Sequence, residues 1–131
     1  MKILLTGGAG YIGSHTAIQL LEKGYDVVIT DNLVNSKEVV ISRIEEISGK
    51  KVSFYPYDVC YEGKMNEIFK KEKIDAVIHF AGLKAVGESV FMPLKYYENN
   101  IISTISLLKA MKENEVKNIV FSSSATVYGI P

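Results

Sequence analysis

Short apolar runs alternate along the chain with longer, more polar stretches in which apolar residues recur every three or four positions. The short runs have the length and composition of β-strands, and the longer stretches have the periodicity of amphipathic helices. The predicted strands are 2–6, 26–30, 52–55, 76–80 and 118–122. Strands that alternate with helices predict an α/β fold with a parallel sheet.

Right-handed crossovers limit how such strands can be arranged. Five strands with helical connections predict a doubly wound, Rossmann-type sheet of order 3-2-1-4-5. The run 76–80 is nearly continuous in apolar residues, as expected of a strand covered on both faces. We therefore expect one domain over 1–131, with its ligand crevice beyond the carboxyl ends of the strands.

Capping residues and prolines set the expected helix boundaries. Ser36 is a candidate N-cap for the second helix, and Gly49 should end it. The buried face of that helix is expected to carry Val40, Ile41, Ile44 and Ile47. After the fourth strand a loop should run as far as Met92, and a long helix should begin at Pro93. The predicted buried stripe of the long helix is Leu94, Tyr97, Ile101, Ile105, Leu108 and Met111.

A glycine-rich turn links the first predicted strand to the first helix. It satisfies the dinucleotide-binding spacing twice, as Gly8-x-Gly10-x-x-Gly13 and as Gly7-x-x-Gly10-x-x-Gly13. A pyrophosphate can rest on the N–H groups of a helix start only where no Cβ intervenes, which explains the glycines. Plain turns and helix C-caps also use glycine clusters, so the surrounding elements are needed to distinguish a dinucleotide site from a turn.

The second predicted strand, 26–30, ends in an acid. Asp31 lies about 20 residues beyond the glycines, where a carboxylate is expected to accept from the adenosine ribose hydroxyls. A carboxylate there would repel a 2′-phosphate, so Asp31 favours NAD over NADP; a plain turn aspartate is the alternative. The helix before this strand is expected to place on one face Ile12, Thr16, Ala17, Leu20 and Leu21.

The ends of the later strands supply further candidates. Asp58 is suited to accept from an adenine amino group, with the Val59 backbone beside it, although a capping aspartate is the alternative. The backbone from Phe80 through Ala81 to Gly82 can pass close to a cofactor ribose. Lys84 is placed to reach a ribose or phosphate, or to be a solvated loop lysine.

Composition excludes several classes of function. With 15 basic and 15 acidic residues spread along the chain, nothing indicates a nucleic-acid or membrane surface. The single cysteine, Cys60, excludes an internal disulfide, and no metal-ligand spacing is present, so we expect no metal site. The apolar start is interrupted by Gly7 and Gly8 too early for a signal peptide, and no run is long enough to span a membrane. A reducing, cytoplasmic setting is expected.

The remaining titratable residues have plain interpretations. We expect His15 on the surface and His79 as a hydrogen-bonded histidine of the core. Cys60 has no neighbouring cationic cluster in the sequence to stabilise its thiolate, so we expect it to be inert.

Five segments of the chain resemble the UDP-glucose 4-epimerases, which belong to the extended short-chain dehydrogenases/reductases. These segments are 6–13, 31–33, 79–89, 96–100 and 122–129. The resemblance covers essentially the whole chain. The glycine turn is shared by all extended members, whereas the run 80–89 followed by Tyr-Tyr-x-Asn-Asn resembles the epimerases in particular.

The resemblance implies a reaction and a set of site residues. In that family, NAD stays bound, takes a hydride from C4 of a UDP-hexose and returns it to the opposite face of the 4-keto sugar. Ser124 matches the catalytic hydroxyl that hydrogen-bonds the sugar 4-oxygen. A homodimer is also implied. The expected cofactor-binding residues are Gly7, Gly10, Tyr11, Ile12, Gly13, Asp31, Asn32, Asn35, Ser36, Asp58, Val59, Phe80, Ala81, Gly82, Lys84, Asn99 and Ser122.

One family feature does not occur in the sequence. In the family's Tyr-x-x-x-Lys pair, the lysine and the oxidised nicotinamide lower a phenol pKa from about 10 so that the phenolate can act as a base. Tyr128 is followed by only three residues and resembles a structural tyrosine at the strand exit. We therefore expect 1–131 to be the N-terminal NAD-binding part of an epimerase, ending before a sixth strand and a substrate domain, and inactive by itself.

Two other functions stay open at this point. The chain could belong to another extended short-chain enzyme, such as a nucleotide-sugar dehydratase or reductase, although the segment 80–100 argues against it. It could also be a non-catalytic module that senses NAD, which the missing Tyr-x-x-x-Lys pair would permit.

Overall fold

The parallel sheet predicted from the sequence is confirmed. The computed structural model describes residues 1–129, so Ile130 and Pro131 of the predicted domain lie outside the described residues. The strands are β1 (Lys2–Thr6), β2 (Asp26–Thr30), β3 (Ser53–Tyr55), β4 (Ala76–His79) and β5 (Asn118–Phe121). All neighbours pair in parallel, in the order β3-β2-β1-β4-β5.

Helices connect the strands, and a 3₁₀ helix at Ala125–Tyr128 follows β5. The α-helices are α1 (Tyr11–Glu22), α2 (Val39–Ser48), α3 (Glu62–Glu72), α4 (Val86–Phe91) and α5 (Pro93–Glu113). The prediction of a plain loop up to Met92 was wrong, because α4 lies within it. Six residues that include Gly87 are too few to show a helical period, and glycine argues against a helix.

Each face of the sheet carries one apolar cluster. Along β1, Leu4 packs on the face covered by α3 and α5, whereas Ile3 and Leu5 pack on the face covered by α1 and α2. This alternation follows from the two-residue period of a strand. The sheet is therefore buried on both sides at its centre, which leaves the carboxyl ends of the strands as the place for a crevice.

The predicted buried stripe of α5 was wrong except at Met111. The residues that α5 buries are Tyr96, Ser103, Ser106, Leu107, Ala110 and Met111. Small residues on this face allow close packing, and the Ser106 hydroxyl donates to the backbone carbonyl of Cys60 at 2.9 Å. The larger apolar side chains of the predicted stripe are instead exposed: Leu94, Tyr97, Ile101, Ile105 and Leu108.

The start of α2 also differs from the prediction. Ser36 does not cap the helix, which begins at Val39 without a side-chain cap. Gly49 ends the helix in a left-handed conformation (φ 66°), as predicted. On the predicted buried face, Ile41 and Ile44 are buried but Ile47 is exposed.

The β5 edge is open to solvent in the part of the chain that the structure describes. All four residues of β5 are exposed, and Val120 and Phe121 are about 60% exposed. Among the described helices, none is both long and apolar enough to cross a bilayer.

Candidate functional site

A cavity of about 420 Å³ opens at the carboxyl ends of the strands. Every residue predicted to contact the cofactor lines it, with the exception of Ser122. The structure thus brings together residues from the glycine turn, the tip of β2, the exit of β3, the exit of β4 and α5. Lining residues that the sequence did not indicate are Val34, Leu83, Ala85 and Ser103.

A second cavity of about 270 Å³ lies beside the first. Ser122 and Ser124 line it, together with Tyr96 of α5 and Ser89 of α4. The segment 81–85 lines both cavities and forms the wall between them. The predicted catalytic hydroxyl and the predicted cofactor residues therefore occupy adjoining spaces.

The glycines of the turn have different structural roles. Gly7 has a φ of +67°, and a Cβ atom on it would lie 2.8 Å from the Ala81 nitrogen. Gly8 packs against Ile29 and does not line the cavity. A Cβ atom on Gly10 would meet only the Gly7 carbonyl oxygen, at 3.2 Å. The Gly7-x-x-Gly10-x-x-Gly13 spacing is thus the one that frames the cavity.

The amino end of α1 faces this cavity. Its N-cap is Gly10, so no side chain caps the helix, and Tyr11, Ile12 and Gly13 line the cavity. Ile12 is exposed, whereas Ala17 and Leu21 of the same predicted helix face are buried. A helix start without a capping side chain offers N–H groups and the positive end of the helix dipole, which suit an anion.

Asp31 is buried and organises the tip of β2. Its Oδ2 accepts from the Ala9 backbone N–H at 3.1 Å, and its Oδ1 accepts from the Leu33 N–H at 2.9 Å and the Ser36 hydroxyl at 2.8 Å. A carboxylate can accept about four hydrogen bonds. These three donors therefore leave the carboxylate able to accept one more, from a ligand hydroxyl.

Asp58 lies opposite, at the exit of β3. Burial alone would raise its pKa, but hydrogen bonds from the Cys60 N–H (2.8 Å) and the Asn32 amide (2.9 Å) hold the pKa of this carboxyl below its ordinary value. The bond to Cys60 is a turn contact, so the alternative structural role has direct support. Asp58 also lines the cavity, and the two roles are compatible.

Comparisons with known proteins agree with this geometry. The sequence profile of the family described as GDP-mannose 4,6 dehydratase matches residues 4–131. A UDP-glucose 4-epimerase of Schizosaccharomyces pombe is 60% identical over 129 residues, which are 98% of this chain and 36% of that protein. A UDP-glucose 4-epimerase of Klebsiella pneumoniae is 57% identical over 129 residues, 98% of this chain and 93% of that sequence. The chain belongs to this family and, by these relatives, to the UDP-glucose 4-epimerases.

A solved structure extends the likeness from the sequence to the fold of residues 1–129. The UDP-glucose 4-epimerase of Bifidobacterium longum, in complex with NAD⁺ and UDP, has a TM-score of 0.97 and 57% identity. It is matched over all of this chain and 39% of its own length. The chain thus spans little more than a third of the S. pombe and B. longum epimerases.

The wall between the two cavities is held from α5. The Asn100 side chain accepts from the Leu83 N–H at 2.8 Å and donates to the Leu83 carbonyl at 3.0 Å. Asn99 donates to the Asn100 side chain at 3.1 Å. Asn100 stood in the sequence beside a predicted site residue, but only the structure shows which backbone it holds.

The structure confirms that His79 is a hydrogen-bonded histidine of the core, whereas the inertness of Cys60 stays a prediction. His79 is 1% exposed, and burial, with a smaller effect of Lys84, lowers its pKa to about 4. Burial, followed by the neighbouring Asp58, raises the pKa of the Cys60 thiol to about 11. At neutral pH His79 is therefore neutral and Cys60 is a thiol. His15 is exposed, with its ring 4.9 Å from that of Tyr11.

Proposed function

We propose that this chain is the NAD-binding part of a UDP-glucose/UDP-galactose 4-epimerase. The observation that carries the proposal is that one cavity at the strand ends gathers the predicted cofactor residues around an uncapped, glycine-framed helix start. The B. longum epimerase, whose matched region covers all of this chain, was crystallised with NAD⁺ and UDP. NAD would accept and return the hydride at C4 of the sugar.

The residues present fit such a dinucleotide. The space in front of Gly10 is one that a Cβ atom would begin to fill, and it suits a pyrophosphate on α1. Asp31 would hold the adenosine ribose and Asp58 the adenine amino group. Lys84, Asn99 and the 80–82 backbone would lie along the other half of the dinucleotide.

The second cavity suits the hexose. Ser124 lines it and would donate to the sugar 4-oxygen, a position where a hydroxyl can share the proton that is being removed. We place the Tyr-x-x-x-Lys base outside residues 1–131, and with it the substrate domain. Since the alcohol is then not activated, residues 1–131 by themselves should not catalyse the reaction.

The alternatives fit less well. A nucleotide-sugar dehydratase agrees with the description of the matched family, but the relatives at 54–60% identity over nearly the whole chain include several UDP-glucose 4-epimerases. An NAD-sensing module would have no use for the second cavity beside the cofactor.

We further propose that the longer protein is a cytoplasmic homodimer. The exposed apolar residues along α5, of which Ile101 and Ile105 are examples, support an association surface on that helix. The even balance of charges gives no support for nucleic-acid binding.

A fusion protein tests the epimerase activity. Residues 1–131 are joined to the part of the S. pombe epimerase that follows the matched region, and UDP-galactose is supplied. The fusion should form UDP-glucose, and both Ser124→Ala in the fusion and residues 1–131 alone should show a large loss of turnover. Formation of a 4-keto-6-deoxy sugar by loss of water would instead favour the dehydratase. Turnover by residues 1–131 alone would contradict the proposal that the base lies outside them.

A further inference from the structure

A chain of hydrogen bonds runs through the interior beside both cavities. Thr6 Oγ1 lies 2.5 Å from Nδ1 of His79, and Nε2 of His79 lies 3.2 Å from Thr104 Oγ1. At one end the Ala81 N–H donates to Thr6 Oγ1 at 3.3 Å, and at the other end the Thr104 hydroxyl donates to the Asn100 carbonyl at 2.9 Å. The chain therefore joins β1, β4 and α5.

The direction of each hydrogen bond follows from the groups at the ends. The Asn100 carbonyl can only accept, so the one proton of the Thr104 hydroxyl points to it, and the Thr104 oxygen must accept from Nε2–H of His79. In a neutral imidazole, Nδ1 then carries no proton and accepts from the Thr6 hydroxyl. The Thr6 oxygen in turn accepts from the Ala81 N–H. All four bonds are consistent with one tautomer.

These hydrogen bonds end at a place where two backbone segments approach each other closely. A Cβ atom on Gly7, the residue after Thr6, would lie 2.8 Å from the Ala81 nitrogen. Ala81 begins the wall that separates the two cavities. A shift of a few tenths of an ångström between Thr6 and Ala81 would therefore change both the glycine turn and this wall.

We propose that His79 is a positioning residue that acts as a neutral imidazole protonated on Nε2, and that through Thr6 it fixes the Ala81 backbone beside the bound cofactor. The inference rests on the proposed binding of NAD. His79 lines neither cavity, so its effect on the cofactor cavity passes through Thr6 to Ala81, whereas its other partner, Thr104, lines the second cavity directly.

The surroundings of His79 favour a neutral ring. β1 and α5 present threonine hydroxyls to it, β5 presents the ring of Phe121 with centroids 5.7 Å apart, and the one charged group with an effect on it among the described residues is the cation of Lys84. Burial lowers the pKa of His79 to about 4, with Lys84 adding to the effect.

Two variants of Thr104 separate hydrogen bonding from packing. Thr104→Val keeps the shape but removes the acceptor for Nε2–H, whereas Thr104→Ser keeps the hydroxyl and removes a methyl group. We expect Thr104→Val to weaken NAD binding on the order of tenfold, and Thr104→Ser to bind nearly as tightly as the unaltered chain. The reverse order, with Ser the weaker binder, would show that Thr104 acts by packing and would overturn the proposal.

The tautomer is measured directly by ¹⁵N NMR of the imidazole nitrogens. A His15→Gln background removes the signals of the only other histidine, which is exposed. At pH 7 we expect His79 to carry its proton on Nε2 alone, and Thr104→Val to introduce the Nδ1–H form. A proton on Nδ1, or a cationic ring at pH 7, in the chain with Thr104 intact would contradict the proposal.

The two experiments also separate this inference from the function on which it rests. If the folded, unaltered chain does not bind NAD, the proposed function fails, and the positioning role fails with it. If NAD binds normally but the tautomer or the order of the Thr104 variants is wrong, only the role of His79 is contradicted.

Discussion

Gly13 lies against the carbonyl oxygen of Gly7, so that a Cβ atom on Gly13 would be 2.5 Å from that oxygen. The Gly8 Cα would be only 2.7 Å from the same Cβ. Both neighbours are backbone atoms that cannot rotate away. The first turn of α1 is thus held directly against the glycine turn, and this contact fixes the direction in which the helix start points.

Gly13→Ala should destabilise the fold. Overpacking against backbone should lower the free energy of unfolding by about 1–3 kcal/mol. This loss exceeds the stabilisation expected from the better helix propensity of alanine. Urea unfolding at constant pH measures the difference. Gly63→Ala is the matched control, because Gly63 lies in α3 with open space around its Cβ position. Equal stabilities of the two variants would show that the contact at Gly13 is relaxed at little cost.

Asp31→Ala should narrow the preference for NAD over NADP. The carboxylate would no longer repel a 2′-phosphate or accept from a ribose hydroxyl, and the ratio of the two dissociation constants should fall roughly tenfold to a hundredfold. Calorimetric titration with each cofactor measures that ratio. As a control, Asp26→Ala removes an exposed carboxylate from the other end of β2 and should leave the ratio of the two dissociation constants unchanged. Equal or tighter binding of NADP by the unaltered chain would contradict the role of Asp31.

The sequence was sufficient to predict the sheet and to group most of the residues that line the first cavity. The strands were recognisable from local apolar runs, and parallel order then places every strand end on one edge, which is why Asp31, Asp58 and Gly82 could be grouped correctly. Ser36 was misplaced because a serine before a helix usually caps it, whereas here a buried carboxylate competes for its hydroxyl.

The packing of α5 could not be predicted from apolar periodicity. Its inner face uses Ser103, Ser106 and Ala110, which permit close approach, so the larger residues point outward. Periodicity identifies an apolar face but not whether the sheet or another surface covers it. The contact between Asn100 and Leu83 joins residues from two elements and likewise needed the fold.

His79 should make stability depend on pH between about 4 and 6.5. Its pKa is about 4 in the folded chain against 6.5 as the ordinary value, so the unfolded chain binds the proton more readily. The contribution of neutral His79 to the free energy of unfolding is therefore fully present above pH 6.5. It is lost as the pH falls towards 4, by up to about 3 kcal/mol. Urea unfolding at pH 7, 6 and 5 measures the slope, because the lowered pKa values of Glu72 and Asp58 confine their own effect to more acid conditions.

His79→Gln supplies the control for this pH dependence. Glutamine keeps a donor for Thr104 but has no titration in this range. The slope between pH 7 and 5 should become smaller in the variant. An unchanged slope would assign the pH dependence to other groups.

Residues 1–131 should self-associate. Val120 is 61% exposed on β5, the strand at the open edge of the sheet, and such an edge offers both apolar area and unpaired backbone groups. Val120→Lys should raise the monomer fraction in sedimentation velocity. Val39→Lys makes the same change at an exposed position of α2 and should leave the monomer fraction unchanged. A chain that is monomeric at all concentrations, or an equal response to both variants, would rule out this surface.

The central claim is that the cavity in front of Gly10 binds NAD, and titrating NAD into the folded chain by calorimetry tests it most directly. We predict saturable binding, weaker than in a full-length epimerase, and its loss in Gly10→Val, whose branched side chain would fill the space meant for the pyrophosphate. Gly10→Val should stay folded, since its Cβ meets only the Gly7 oxygen at 3.2 Å. No saturable binding by the folded chain, or unchanged affinity in a folded Gly10→Val variant, would contradict the account.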